Sequence, residues 1–288
     1  MSIKKAVIPA SGVGTRFLPT TKAIPKELLP LLDKPLIQYA VEEAVASGIR
    51  EVILVTSQGK EALERYFEPD PALESFLKDR GSLELQDEVR RVTSLAKMSY
   101  VEQKEPLGLG HAVLTAKDLV GDEPFAVMLP DDVIQSAKPA LGQMIEVYHS
   151  QGGGVIAVEE VPRDQVSSYG VITPEPLSDE VYRIHGVVEK PPPEKAPSNL
   201  AIVGRYILPP EIFDCLERTC PGAKGEIQLT DGLALLMETQ ELYGYRFSGT
   251  RHDGGTPLGL LKASLAMALA REDTRAAILE TIKQHLPA

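Results

Sequence analysis

The 288-residue chain is 43% hydrophobic and 25% charged, an ordinary globular balance, and it is long enough to bury a sizeable core. Its net charge of −11 argues against nucleic acid as a partner, yet residues 1–34 carry +4, so positive charge is concentrated at the start. No apolar run is long enough to span a bilayer, and the stretch after Lys4 and Lys5 is too short for a secretory signal, so the expectation is a cytoplasmic protein without membrane contact.

In chain order, "KKAVIPA" reads as a buried strand that runs into a glycine-rich turn. "PLIQYAVEEAVASG" has helical spacing, with proline at its start and Gly48 at its stop. "EVILVTS" is continuously apolar, as in a strand covered on both faces. Residues 59–97 are charged and helical, an excursion over the surface. "SYVEQ" predicts a third strand, "GLGHAVLTAKDLV" a helix and "PFAVMLPDDVI" a fourth strand. This alternation predicts a parallel sheet with helices on both faces.

Beyond residue 150 the strand-like segments crowd together: "GGGVIAVEEV", "YGVITPEP", "YRIHGVVEKP" and "AIVGRYILPP". "EIFDCLERT" and "EIQLTDGLALLMET" read as helices, and the tail from Thr256 to Leu286 as helical and amphipathic. The texture is an α+β elaboration of the same sheet, within one domain over residues 1–288. Cys215 and Cys220 have neither redox-pair nor zinc spacing and read as reduced structural thiols.

Three groups of residues carry chemistry. The first is "GVGTRFLPTTKAIPKELLP", where glycines let backbone N–H groups approach an anion. A dinucleotide loop would need glycine where Phe17 stands, and a P-loop would need a GK[ST] ending. A plain tight turn is the remaining alternative. Arg16 and Lys26 weigh against it, because a guanidinium fork and a mobile ammonium ten residues apart suit a triphosphate.

The second group is Asp131 and Asp132, at the end of a strand where ligands of open α/β sheets sit. An Asx-capped turn is the competing reading, while hard carboxylates suit Mg²⁺. The third is Glu189 and Lys190 before a proline turn, either a solvated ion pair or a clamp for a sugar phosphate. None of the five histidines has triad partners, so nucleophilic catalysis is not expected. His111 reads as structural.

The first group resembles the signature loop of the sugar-nucleotide pyrophosphorylases. The likeness continues in family order through "EQKEPLGLGHAV", "LPDDV", "SSYGVI", "VVEKP", "GEIQLTD" and "HDGGTPLGLLKA", covering nearly the whole chain. "TKAIPKELLP" is close to the bacterial members that use UTP and glucose 1-phosphate.

The resemblance implies a Rossmann-like α/β fold with a mixed, mostly parallel sheet flanked by helices. Residues 1–150 would bind nucleotide, residues 151–255 would form an inserted sugar-binding α+β portion that completes a metal site, and residues 256–288 would be a helical tail. It implies catalytic roles for Arg16 and Lys26, and nucleotide contacts at Ala10, Gly12, Gly14, Gln103 and Gly108. Gly170, Glu189 and Lys190 would hold the sugar phosphate, and Asp131 and Asp253 would hold Mg²⁺. Apart from the resemblance, Asp132 is expected to support the loop, and His252, beside Asp253, to do no more than orient the metal site.

A phosphate monoester near pH 7 needs no base before it attacks, so the expected reaction is in-line attack of the sugar phosphate on the α-phosphorus of UTP. UDP-glucose and pyrophosphate are the expected products, and a homodimer or homotetramer the expected assembly. A pyrophosphorylase for another nucleotide or hexose, or a non-catalytic sensor on the same fold, are the alternatives.

Overall fold

The computed structural model describes residues 2–222 and 225–285. Its strands are β1 (Lys5–Pro9), β2 (Pro30–Leu31), β3 (Lys34–Pro35), β4 (Glu51–Thr56), β5 (Lys97–Glu102), β6 (Phe125–Met128), β7 (Asp132–Gln135), β8 (Gly154–Glu160), β9 (Gly170–Pro176), β10 (Val181–Glu189), β11 (Leu200–Leu208), β12 (Leu242–Arg246) and β13 (Thr250–Asp253). The helices are α1 (Leu36–Ala46), α2 (Glu61–Phe67), α3 (Pro71–Asp79), α4 (Leu83–Thr93), α5 (Leu109–Thr115), α6 (Lys117–Val120), α7 (Ala140–Gln151), α8 (Ile212–Arg218), α9 (Leu229–Leu236), α10 (Pro257–Ala270) and α11 (Glu272–His285). No described helix is long and apolar enough to cross a membrane.

Nine strands form one sheet in the order β5-β4-β1-β6-β11-β8-β12-β10-β9. The half built from β5, β4, β1 and β6 is parallel, as the strand–helix alternation predicts. The other half is not. β11 runs antiparallel to β6 and β8, β10 antiparallel to β12 and β9, and only β12 with β8 is parallel. The sheet is therefore mixed rather than mostly parallel. The closely spaced segments after residue 150 leave too little chain between β9 and β10 for a crossover helix, so these strands pair as a hairpin.

Each face of the sheet carries its own core. Ile8, Leu54 and Met128 point to one side, where α1, α2 and α7 supply Ile37, Val41, Leu63, Leu141 and Met144. Val7, Ile53 and Val127 point to the other, against Val113, Phe213, Leu216 and Leu233 of α5, α8 and α9. Alternating residues of the same strands feed both cores, which explains the continuously apolar spelling of the strands. The charged excursion is α2, α3 and α4.

Three predicted elements are broken, the first being the helix "GLGHAVLTAKDLV", which forms α5 and α6 with Ala116 between them. "PFAVMLPDDVI" is not one strand: β6 stops at Met128, and β7 turns away to pair with β13 as a separate ribbon. Pro130 offers no N–H to continue the ladder, and the turn around it carries Asp131. The tail is two helices, α10 and α11, meeting at Arg271; its last predicted residue, Leu286, lies outside the described residues. Cys215 is buried, Cys220 is exposed, and both are free thiols.

Candidate active site

At the C-terminal edge of the parallel half, two open polar cavities of about 550 and 610 Å³ adjoin. Arg16, Leu109, Leu129, Asp131 and Glu226 line both, so a guanidinium and two carboxylates stand at their junction.

The smaller cavity is built on the loop after β1. Gly14 has φ +70°, and a Cβ there would press on Lys26 at 3.2 Å, so the glycine lets the segment bearing Lys26 fold back onto the loop. None of the N–H groups of Ser11 to Arg16 has an acceptor among the described residues. Successive free N–H groups beside Arg16 and Lys26 make a cradle for an anion. Gly12 lines this cavity, whereas Ala10 and Gly14 do not: Ala10 is buried, and Gly14 sits behind the rim with its carbonyl accepting from Thr21 Oγ1 at 2.9 Å.

Across the cavity, Gly108 has φ +97°, and a Cβ there would collide with Glu226 and Ile227 at 2.9 Å. Only glycine allows this close docking of residues 107–110 against the "GEIQ" segment, sealed by Ile227 N–H donating to Leu107 O at 2.7 Å. Gln103 is buried; its amide donates to Gly108 O at 3.1 Å and meets His111 Nδ1 at 2.9 Å, while its oxygen accepts from Ser11 Oγ. Both amide protons are committed, so a free lone pair on the oxygen is the hydrogen-bonding capacity Gln103 has left. His111 is structural through this bond.

The larger cavity is lined by Gly170, Glu189 and Lys190, with Tyr206, Gln228 and Thr230. Glu189 ends β10, and Lys190 takes the left-handed conformation, φ +45°, which is uncommon for a non-glycine residue. This twist lets both neighbouring side chains face one cavity. Lys190 Nζ donates to Glu189 Oε1 at 2.7 Å, and Thr230 Oγ1 donates to Oε2 at 2.7 Å. Burial pushes the Tyr206 phenol up, so it remains neutral.

Asp131 and Asp253 come from distant segments and meet at the junction. A methyl on Gly255 would touch Asp253 Oδ1 at 3.0 Å, Asp131 Oδ2 at 3.1 Å and Arg16 Nη1 at 3.6 Å, so all three groups surround one point. Register supports this: β13 pairs Asp253 opposite Asp132, and Gly254 N–H donates to Asp131 O at 2.7 Å. No described cluster holds three or more metal-ligating side chains. Two facing carboxylates beside an anion cradle still fit Mg²⁺, which takes one or two protein carboxylates and completes its shell with water and phosphate oxygens.

Lys26 Nζ donates to Asp131 Oδ2 at 2.7 Å. Burial opposes the charge on each partner, but their attraction wins: the Asp131 carboxyl is held below its usual range and the Lys26 ammonium above its own. Asp132 also lines the larger cavity but is held as a support, accepting from Arg251 Nε at 2.5 Å and Gly204 N–H at 2.9 Å. His252 does not reach the carboxylates. Its Nε2 is buried without a partner and burial lowers its pKa, so it is a neutral wall residue rather than an orienting one.

Arg205 is a positioning residue that the sequence does not reveal. It is wholly buried in β11, pairs with Glu43 at 2.7 Å, and donates to Leu129 O at 3.0 Å and Asp132 O at 2.6 Å. It thus grips both ends of the turn that presents Asp131. A lone arginine in an apolar strand gives no local signal of this.

The nucleotidyl transferase family model matches residues 5–269. The UTP–glucose-1-phosphate uridylyltransferase 2 of Staphylococcus saprophyticus is 49% identical over 282 residues, covering 98% of each chain. A solved UDP-glucose pyrophosphorylase complexed with UDP-glucose is 46% identical with a TM-score of 0.85, covering 94% of this chain and 100% of that one. A UTP-bound UGPase from Acinetobacter baumannii is 41% identical with a TM-score of 0.92, covering 99% of this chain and 100% of its own. By sequence over almost its full length and by fold, the chain belongs to the nucleotidyl transferase family.

Proposed function

We propose that the chain transfers a uridylyl group from UTP to glucose 1-phosphate, giving UDP-glucose and pyrophosphate. The observation that carries this reading is the pair of adjoining cavities meeting at Arg16 and Asp131: one has a cradle of free N–H groups, the other the Glu189–Lys190 pair. Two anionic substrates placed in them bring the sugar phosphate against the nucleotide's α-phosphorus. The names of the relatives support the same pair of substrates.

No described side chain forms a nucleophile–base pair at the junction, and none is needed. The sugar phosphate is already an anion near pH 7, and the obstacle is repulsion between two polyanions. Arg16 and the loop N–H groups hold the triphosphate and neutralise the departing pyrophosphate. Lys26 leaves Asp131 for the phosphates as they enter. Lys190 fixes the sugar phosphate for in-line attack, and Glu189, held by Thr230, accepts from hexose hydroxyls. Asp131 and Asp253 would hold Mg²⁺, which supplies charge neutralisation between the phosphates. The rate comes from positioning and fixed charge.

A product assay with four nucleoside triphosphates against glucose 1-phosphate and a second hexose 1-phosphate tests the substrate assignment. UTP with glucose 1-phosphate is expected to give the highest kcat/KM. Preference for another triphosphate would overturn the base assignment.

A further inference from the structure

Behind the glycine-rich loop lies a buried ammonium that reaches neither cavity. Lys60 immediately precedes α2 and is 8% exposed. Its Nζ donates to Ala10 O, to Gly12 O at 2.6 Å and to Glu27 Oε2 at 2.9 Å. Three protons meet three acceptors, so nothing is left over for a ligand. Ser57, three residues earlier, donates from Oγ to Ser11 O at 3.0 Å. The carbonyls of Ala10, Ser11 and Gly12 are therefore all tied by this one segment, while the N–H groups of Ser11 to Arg16 have no acceptor among the described residues.

A peptide plane is rigid, so fixing where its carbonyl points fixes its N–H in the opposite direction. We propose that Lys60 is a positioning residue for the triphosphate: it draws the loop carbonyls backward and so aims the N–H cradle into the cleft. This rests on the reading of that loop as the triphosphate site. Glu27 supplies the counter-charge that makes the buried ammonium tolerable, and as the neighbour of Lys26 it ties the segment bearing Lys26 to the same anchor. One buried pair thus sets the spacing between the cradle and the mobile ammonium that faces it. Neither Ser57 nor Thr21 can replace it, because each holds a single carbonyl.

The test compares wild type, Lys60→Arg and the double variant Lys60→Met with Glu27→Gln, which removes the charge Glu27 would otherwise leave stranded. Calorimetry measures binding of UTP and of inorganic tripolyphosphate, and initial rates give KM for each substrate. The double variant is expected to bind both polyphosphates at least about tenfold more weakly, with KM for glucose 1-phosphate within about twofold of wild type. Lys60→Arg keeps the charge but moves the donors outward, and an intermediate, equally selective loss is expected. Unchanged polyphosphate binding in a folded double variant would overturn the proposal. So would an equal loss for both substrates, the result of a purely structural role. If the double variant does not fold, Lys60→Arg decides by the same selectivity. Tripolyphosphate carries neither base nor sugar, so a wild type that prefers another nucleotide corrects the substrate assignment and leaves this comparison standing.

Discussion

Lys26 and Asp131 satisfy each other, and the proposed function gives each a second task toward the phosphates. Lys26→Ala is expected to lower kcat/KM by at least ~10²-fold, the scale of losing one charge stabiliser. A partly exposed pair contributes only about 0–1 kcal/mol, so the thermal midpoint should move little. Near-normal turnover in the folded variant would remove Lys26 from the mechanism. The same pair makes a pH prediction. Because the folded Asp131 carboxyl titrates below its unfolded value, its stabilisation is full above about pH 4 and is lost as pH falls through the folded value. The stability gap between wild type and Lys26→Ala should therefore be constant from about pH 6 to 8 and close in acid, as thermal melts across pH will read. In the other cavity, Lys190→Ala should raise KM for glucose 1-phosphate strongly and leave UTP binding nearly unchanged. Equal effects in separate titrations would move Lys190 to the triphosphate.

The turn between β6 and β7 is the element on which the junction depends, and only part of it is legible in the chain. "LPDD" marks a turn with two carboxylates, because proline and aspartate act locally. That β6 ends there, and that Asp131 faces the cleft while Asp132 faces Arg251, depends on partners 70 to 120 residues away. Arg205 and Lys60 are invisible for the same reason: each looks like an isolated basic residue until the sheet forms around it. By contrast, the loop glycines, Gly108 and the end of β10 before Pro191 are readable, since positive φ and a missing N–H are local demands. Arg205→Met should cost about 3–5 kcal/mol in urea unfolding, because it leaves the Glu43 charge buried and takes a charged donor from two turn carbonyls, Leu129 O keeping only Asp132 N–H at 3.3 Å. A loss under about 1 kcal/mol would show that the turn holds without its clamp.

Across the whole molecule, the two cavities, proposed above for nucleotide and for sugar, fall on the two differently built halves of one sheet. The parallel half presents the C-terminal ends of β1, β4 and β6 at one edge, which is where the anion cradle and the Asp131 turn are found. The antiparallel half brings β9, β10 and β11 to the same edge and adds Gly170, Glu189 and Lys190. Strand–helix alternation predicts the first half correctly. The mostly parallel sheet implied by the family resemblance does not hold in the second, where chain direction follows connections such as the β9–β10 hairpin rather than hydrophobic spelling. The two halves meeting at one junction make a definite chemical claim: the bond made is between the sugar phosphate and the α-phosphorus. Phosphorus NMR of the chain mixed with UTP, glucose 1-phosphate and Mg²⁺ reads that claim directly. The expected result is equal growth of UDP-glucose and pyrophosphate signals as both substrates decline; orthophosphate with UDP, or no change in UTP, would contradict it.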